Sequence, residues 1–151
     1  MIGSLAERTV RVVGVLALVL VVAGCTSAPA GDSGEVLDER FAPCPDSPNC
    51  VSSFAEDELH AIEPLPLPSR QPMDTLQEIV ASMPRTTIVT VDGDYLHVVY
   101  RTLVFRFADD VEFRIDEAAG VIHVRSASRV GYGDMGVNRN RVEAIRDRLQ
   151  E

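Results

Sequence analysis

The chain has 151 residues, in which 14 arginines and no lysines stand against 23 acidic residues, for a formal net charge of −9 at pH 7. This balance argues against nucleic acid as a partner and against a broad basic membrane-binding face, because both need clustered positive charge. The length suits one folded domain with its own hydrophobic core rather than two.

The first 24 residues have the layout of a secretory signal peptide. Arg8 and Arg11 form a positive start, and residues 12–22 form an apolar run that is too short to cross a bilayer comfortably. The run leads into Val22-Ala23-Gly24-Cys25, which resembles the lipobox of bacterial lipoproteins. By that resemblance, residues 1–24 are removed and Cys25 is lipid-modified on its thiol to become the mature N-terminus. The alternative is an uncleaved signal anchor in which Cys25 is an ordinary residue.

Residues 25–40 are predicted to form a flexible tether, because they are rich in Ser, Ala, Pro, Gly and acidic residues. Acyl chains on Cys25 would attach the protein lastingly to a membrane, since each buried methylene contributes about 0.8 kcal/mol. Thr26 does not resemble an inner-membrane retention signal, so in a Gram-negative cell the outer membrane is favoured. We therefore expect an exported protein, anchored to the cell membrane or outer membrane, whose single domain at 41–151 faces the periplasm or the cell exterior.

Two cysteines remain in the predicted domain, Cys44 and Cys50, with prolines between them. In an exported protein an even pair indicates a structural disulfide. A metal site is the alternative, but two cysteines without a nearby histidine lack a full ligand set, and a redox-active pair is more often spaced by two residues. Free thiols are the remaining option. The segment 55–71 that follows is acidic and then proline-rich, which favours an extended strip on the surface with His60 in solvent.

The rest of the pattern predicts an α+β domain, since helical and strand periodicities follow one another along the chain. The predicted elements are a helix at 72–83, strands at 86–91, 95–107, 111–116 and 121–128, and a final helix capped by Asn138. Turns are predicted at 92–94, 108–110 and 117–120. The four strands would form an antiparallel meander with both helices packed on one face of it, in a two-layer domain.

The predicted strand 95–107 changes parity along its length. Its early apolar residues have even numbers and its later ones odd numbers: Leu96, Val98 and Tyr100, then Leu103, Phe105 and Phe107. A regular strand would turn one of these sets away from the core. The pattern therefore predicts a bulge or break near Arg101-Thr102.

Three blocks of sequence resemble one uncharacterised family. They are Cys44-Pro45-Asp46-Ser47-Pro48-Asn49-Cys50-Val51-Ser52-Ser53, then Phe107-Ala108-Asp109-Asp110-Val111-Glu112-Phe113, then Arg125-Ser126-Ala127-Ser128-Arg129-Val130-Gly131-Tyr132 with Asp134 through Arg141. Their order and combination are similar to those of the family catalogued as domain of unknown function fourteen ninety-nine, over about residues 42–150. The family occurs in bacteria and plant plastids, and its members include exported lipoproteins and membrane-attached forms. The resemblance implies no established activity.

The long polar segment 125–141 is the strongest candidate for a functional site, because it carries four arginines and only one acidic residue. One hypothesis is an anion pocket for a carboxylate, phosphate or acidic glycan, formed by Arg125, Ser126, Ser128, Arg129, Tyr132, Asp134 and Arg141. The alternative is an internal network in which Asp109, Asp110 and Asp134 hold the same arginines through bidentate hydrogen bonds.

An enzyme is the weaker hypothesis. Ser126 near His123 suggests a nucleophile and a base, with Asp109 or Asp110 as the orienting acid, in an envelope hydrolase. His97, His123 and Asp110 could alternatively hold a metal ion. However, His123 and Ser126 differ in strand parity and would face opposite sides of a regular strand. No phosphate loop or dinucleotide fingerprint occurs, so we expect no cofactor.

Together these patterns predict a cell-envelope lipoprotein that acts as a binding or structural module. Its predicted partners are the membrane, through Cys25, and either an anionic ligand or an envelope protein. Nucleic acid is not expected.

Overall fold

The computed structural model describes residues 41–151. The predicted signal peptide, the lipidated Cys25 and the predicted tether lie outside the described residues. Within 41–151, neither helix is long and apolar enough to cross a membrane.

The described domain is a mostly-sheet α+β fold with six antiparallel strands and two helices. In chain order the elements are β1 (Cys50–Ser52), β2 (Leu65–Pro66), α1 (Pro72–Ser82), β3 (Thr86–Asp92), β4 (Tyr95–Arg101), β5 (Ala108–Asp116), β6 (Val121–Ser128) and α2 (Val137–Leu149). The α+β class is therefore confirmed, and the bounds predicted for the last strand agree with those of β6.

The predicted four-strand meander is present as β3 to β6, but it is part of a larger sheet. β1 pairs with the end of β6, and β2 pairs with its start, so the order across the sheet is β1-β6-β5-β4-β3 with β2 also beside β6. The two added strands have three and two residues. Strands this short show no alternation in a sequence, which is why they were not predicted.

The two faces of the sheet have different chemistry because successive side chains of a strand point to opposite faces. One face carries the hydrophobic core, where both helices bury apolar residues against the sheet. The fully buried core residues are Leu65, Leu76, Val80, Leu96, Val98, Val111, Phe113, Ile122, Val124, Val142 and Ile145. The opposite face carries buried polar groups of β4, β5 and β6 instead, including Glu112 and Arg125.

The predicted break near Arg101-Thr102 is present, since β4 ends at Arg101. The chain then forms a short loop that Thr102 closes: its backbone N–H donates to the Phe107 carbonyl at 2.9 Å, and its Oγ1 accepts from the Phe107 N–H at 2.9 Å. The second half of the predicted strand was therefore wrong. Its apolar residues leave the sheet and are exposed rather than core.

The turn predicted at 108–110 was also wrong. These residues begin β5, where Asp109 pairs with Tyr100 and Ser128, and Asp110 pairs with Val99 and Ala127. Two adjacent acidic residues resemble turn formers in a sequence. Their burial inside the sheet depends on partners from other elements, which local sequence does not reveal.

His60 is buried rather than exposed, with 6% of its surface accessible. Its Nδ1 lies 2.7 Å from Asp57 Oδ1, and its Nε2 lies 3.2 Å from the carbonyl oxygen of Ser47. The histidine thus joins the acidic segment to the disulfide loop.

β3 lies at one edge of the sheet and is irregular. Its register with β4 shifts between Ile88 and Thr90, so that Val89 is an extra residue on the edge strand. Val89 and Val91 are about half exposed, at 53% and 46%.

The predicted disulfide joins Cys44 to Cys50, with a Cα–Cα distance of 5.7 Å. Cys50 is the first residue of β1 and is buried. The bridge therefore ties the loop after Phe41 to the edge of the sheet.

Reduction of this disulfide should lower the free energy of unfolding by roughly 2 kcal/mol, the chain-entropy value for so small a loop. Thermal unfolding of the full chain, followed by circular dichroism with and without a phosphine reductant, would measure the loss. The Cys44→Ala/Cys50→Ala variant is the control and should not respond to the reductant. An unchanged melting temperature on reduction of the wild type would contradict a stabilising role.

Candidate functional site

The sheet divides the arginine-rich segment between its two faces. Arg125 and Arg129 lie on the polar face, whereas Ser126 contacts α2 on the core face. The single pocket predicted from sequence is therefore divided into three clusters, two on the polar face of the sheet and one on the core face.

The first cluster on the polar face surrounds Glu112, which has no accessible surface. Its Oε2 accepts from Nη1 of Arg125 at 3.1 Å, and its Oε1 accepts from the Tyr95 hydroxyl at 2.9 Å. Burial and the neighbouring carboxylate raise the pKa of Tyr95. The phenol thus stays protonated and holds the carboxylate together with the guanidinium.

The second cluster on this face surrounds Asp110, which is 3% exposed. Arg129 donates to it through Nε at 2.7 Å and Nη2 at 2.8 Å, and His97 Nε2 lies 2.8 Å from Oδ1. Burial raises the pKa of Asp110, but the hydrogen bonds from Arg129 and His97 outweigh it and lower that pKa to about 2. Asp110 is therefore a fixed negative charge at neutral pH.

On the core face, Arg141 of α2 reaches back to β5. Its Nη2 donates to Asp109 Oδ2 at 2.6 Å, and its Nη1 donates to Ser126 Oγ at 3.1 Å and to Asn138 Oδ1 at 2.7 Å. The guanidinium also lies 4.6 Å from the centroid of the Tyr100 ring. These contacts fix the helix to three neighbouring strands.

Asn138 was predicted to cap the final helix, but it lies inside α2 and is fully buried. Its amide nitrogen lies within hydrogen-bond distance of the Asn49 carbonyl, Ser128 Oγ and Asp134 Oδ2, at 3.0, 3.0 and 2.8 Å. Its Oδ1 accepts from Ser126 Oγ at 2.6 Å. The side chain joins the end of the disulfide loop, β6 and α2 at one point.

Asp134 takes the capping role instead. Its Oδ1 accepts the backbone N–H of Gly136 at 2.9 Å, and its Oδ2 accepts that of Asn138 at 2.8 Å. Burial raises the pKa of Asp134, but these backbone hydrogen bonds outweigh it, so the net shift is downward. Gly136 precedes the helix with φ 79°, a conformation that favours glycine.

The members of the predicted anion pocket thus have different surroundings. Arg125, Arg129 and Arg141 each form an ion pair with a different acidic residue. Tyr132, in contrast, is 77% exposed. Asp109 and Asp110 bind Arg141 and Arg129, as in the internal network that was the alternative to an anion pocket. Arg125 binds Glu112 instead, and Asp134 accepts backbone N–H groups at the start of α2.

The three residues of the hydrolase hypothesis, His123, Ser126 and Asp110, do not meet within the described part of the chain, although His97 and Asp110 of the metal hypothesis do. Ser126 contacts Asn138 and Arg141, and Asp110 contacts His97 and Arg129. His123 lies elsewhere on the polar face. No group of three or more His, Cys, Asp or Glu residues between positions 41 and 151 is arranged to hold a metal ion.

His123 has a partner that the sequence did not suggest. Its Nδ1 lies 3.2 Å from Ser53 Oγ, the Phe54 ring stacks on it at 4.2 Å between centroids, and its Nε2 lies 3.8 Å from Asp116. Ser53 Oγ also accepts the Val124 N–H at 3.0 Å. The hydroxyl therefore joins the segment after β1 to β6, and burial lowers the pKa of His123.

A groove of about 440 Å³ opens where β4 ends, next to the start of α2. Three separate segments line it, so periodicity could not indicate it: Met83, Pro84, Arg85, Tyr100, Arg101, Thr102, Leu103, Val137, Asn140 and Arg141. Three of these residues are arginines and none is acidic. Arg85 Nε donates to the Arg101 carbonyl at 3.0 Å, and the Arg101 side chain is exposed.

Arg129→Ala should destabilise the domain by about 3 kcal/mol, because it leaves Asp110 charged and buried with only His97 as partner. The folded pKa of Asp110 lies below its ordinary value, so this stabilisation is present above about pH 4 and is lost as the pH falls towards about 2. The difference in melting temperature between wild type and variant should therefore shrink over that interval.

The matched control is Arg101→Ala, since Arg101 forms no ion pair among residues 41–151. It should leave the melting temperature nearly unchanged. Equal effects of the two substitutions would contradict a special role for the Asp110 pair.

The model of a family described as protein of unknown function (DUF1499) covers residues 40–149, which include the disulfide loop, the whole sheet and both helices. No curated protein matches the chain. The match spans most of the chain, and the chain belongs to this DUF1499 family.

Proposed function

We propose that this protein is a lipid-anchored binding module of the cell envelope, and that the groove beside α2 is its ligand site. The lipobox-like Val22-Ala23-Gly24-Cys25 supports the anchor, and the disulfide supports export to an oxidising compartment. The domain would face the periplasm or the cell exterior.

The observation that carries the binding proposal is the charge of the groove. Arg85, Arg101 and Arg141 line it without an acidic residue, in a chain whose net charge is −9. Asp109 neutralises Arg141, whereas Arg85 and Arg101 have no acidic partner within residues 41–151. Two uncompensated guanidinium groups would attract an anion.

The remaining lining restricts the class of ligand. Met83, Pro84, Leu103 and Val137 give the groove an apolar wall beside its arginines. A ligand that combines one carboxylate or phosphate group with a hydrocarbon portion could contact both the arginines and the apolar wall. The arginine-rich segment then serves this site indirectly, because Asp109 and Tyr100 hold Arg141 and α2 in position.

A hydrolase is not proposed. His123, Ser126 and Asp110 have separate partners, and Ser126 Oγ donates to Asn138 while it accepts from Arg141. A serine held in this way on the core face is not available to a substrate.

Octyl phosphate should bind the full chain in detergent-free calorimetry, and octanol should bind less well because it lacks the anionic group. Arg101→Glu should weaken octyl phosphate binding at least about tenfold, since it replaces an attraction of a few kcal/mol by repulsion. Arg70→Glu is the matched control, because it makes the same charge change at the opposite end of α1, about 16 Å away. Equal affinities for the two variants would exclude the groove as the site.

Cys25→Ser should release the protein from the membrane fraction, because the lipid would have no thiol to attach to. Fractionation of the producing cells, together with metabolic labelling by palmitate, would measure both attachment and modification. Cys44→Ser/Cys50→Ser should keep the label. A wild-type protein that is found in membranes without label would indicate the uncleaved signal anchor instead.

A further inference from the structure

The loop that joins β4 to β5 exposes a group of large apolar side chains. Leu103, Val104 and Phe105 are 71%, 76% and 75% exposed, and Phe107 is 49% exposed. The Phe105 and Phe107 rings lie 5.4 Å apart and contact each other instead of the core. The strand periodicity of these residues predicted a buried position, so their exposure calls for a physical reason.

The segment after β6 exposes a second apolar group at the same end of the sheet. Val130, Tyr132 and Met135 are 54%, 77% and 99% exposed. The end of the β4–β5 loop and the start of the segment after β6 lie side by side, because the Arg129 N–H donates to the Ala108 carbonyl at 3.0 Å. We name this set of seven residues the apolar tip: Leu103, Val104, Phe105, Phe107, Val130, Tyr132 and Met135.

We propose that the apolar tip inserts into the boundary between headgroups and acyl chains of the bilayer to which the protein is anchored. Large apolar side chains on protruding loops can enter this boundary, and a tyrosine among them suits the interface. The proposal rests on the lipid anchor proposed above. The apolar tip borders the ligand groove, which Leu103 also lines, but insertion of the tip does not require that the groove be filled.

The charges around the tip fit a lipid surface. No acidic residue occurs between Arg101 and Phe107, and Arg106 within that loop can stay at the level of the lipid phosphates. The one acidic residue between Val130 and Met135 is Asp134, whose carboxylate accepts the backbone N–H groups of Gly136 and Asn138. The acidity of the whole chain argues against a broad basic membrane-binding face, but insertion of apolar side chains needs no such face.

The chain outside the described residues is long enough to permit this orientation. Sixteen residue steps separate Cys25 from Phe41, and fully extended they could span about 50 Å. A lipid on Cys25 would keep the tip at a high local concentration of bilayer surface. Burial of a few apolar side chains of the tip would then be enough to hold the domain against the bilayer.

The absence of tryptophan from the chain allows a direct test. Phe105→Trp places one fluorophore at the tip, and Val91→Trp places one on the exposed edge strand as the matched control. Both full-length variants would be reconstituted into phosphatidylcholine vesicles with and without bromine on the acyl chains. We expect the tip fluorophore to shift its emission to the blue and to lose most of its intensity to brominated lipid, while the control stays solvent-like.

Both variants carry the same N-terminal segment, so tethering alone cannot produce a difference between them. Equal emission and equal quenching of the two fluorophores would overturn the proposal, including the case in which a protein partner covers the tip in the cell. Melting temperatures equal to that of the wild type confirm that both variants are folded. Octyl phosphate binding is measured separately, so either proposal can fail while the other stands.

Discussion

The structure depends on two adjacent carboxylates that point to opposite faces of one strand. Asp109 binds Arg141 of α2 on the core face, and Asp110 binds Arg129 on the polar face. The alternation of a β-strand makes this division unavoidable for neighbouring residues. One dipeptide at the start of β5 therefore fixes the last helix on one side and the end of β6 on the other.

Asn138 extends this arrangement to the edge of the sheet. Its buried amide contacts Asn49, Ser128, Asp134 and Ser126, so it connects the disulfide loop with β6 and the helix cap. A buried amide is costly unless it is hydrogen-bonded, and both the nitrogen and the oxygen of the Asn138 side chain have partners. The long polar segment after β6 thus has a structural reason: it carries the groups that these buried partners need.

The sequence was informative where local periodicity decides the structure. Most of β5 follows from an alternating apolar pattern and α1 from a helical one, and the disulfide follows from an even cysteine pair in a chain predicted to be exported. The wrong predictions have a common physical origin, because they concern residues whose partners are distant in the chain. Asp109 and Asp110 resemble a turn in the sequence, but Arg141 and Arg129 bind them inside the fold. β1 forms only because β6 offers it a free edge. The groove combines three segments that are far apart in the chain, and Asn138 resembled a cap because its true neighbours were unknown.

Under the proposed lipid anchor, the irregular edge at β3 has a consequence for copies of the protein that share one membrane. Anchored molecules are concentrated in two dimensions, where an exposed strand can recruit the same strand of a neighbouring copy into a continuous sheet. The extra residue at Val89 interrupts the row of backbone groups that such pairing would require. At the other side, β1 and β2 have only three and two residues, and Ser52 already bridges to Ala61. Neither edge of the sheet is therefore suited to pair with a strand of another copy. This would allow the domain to reach high density on a surface without polymerising.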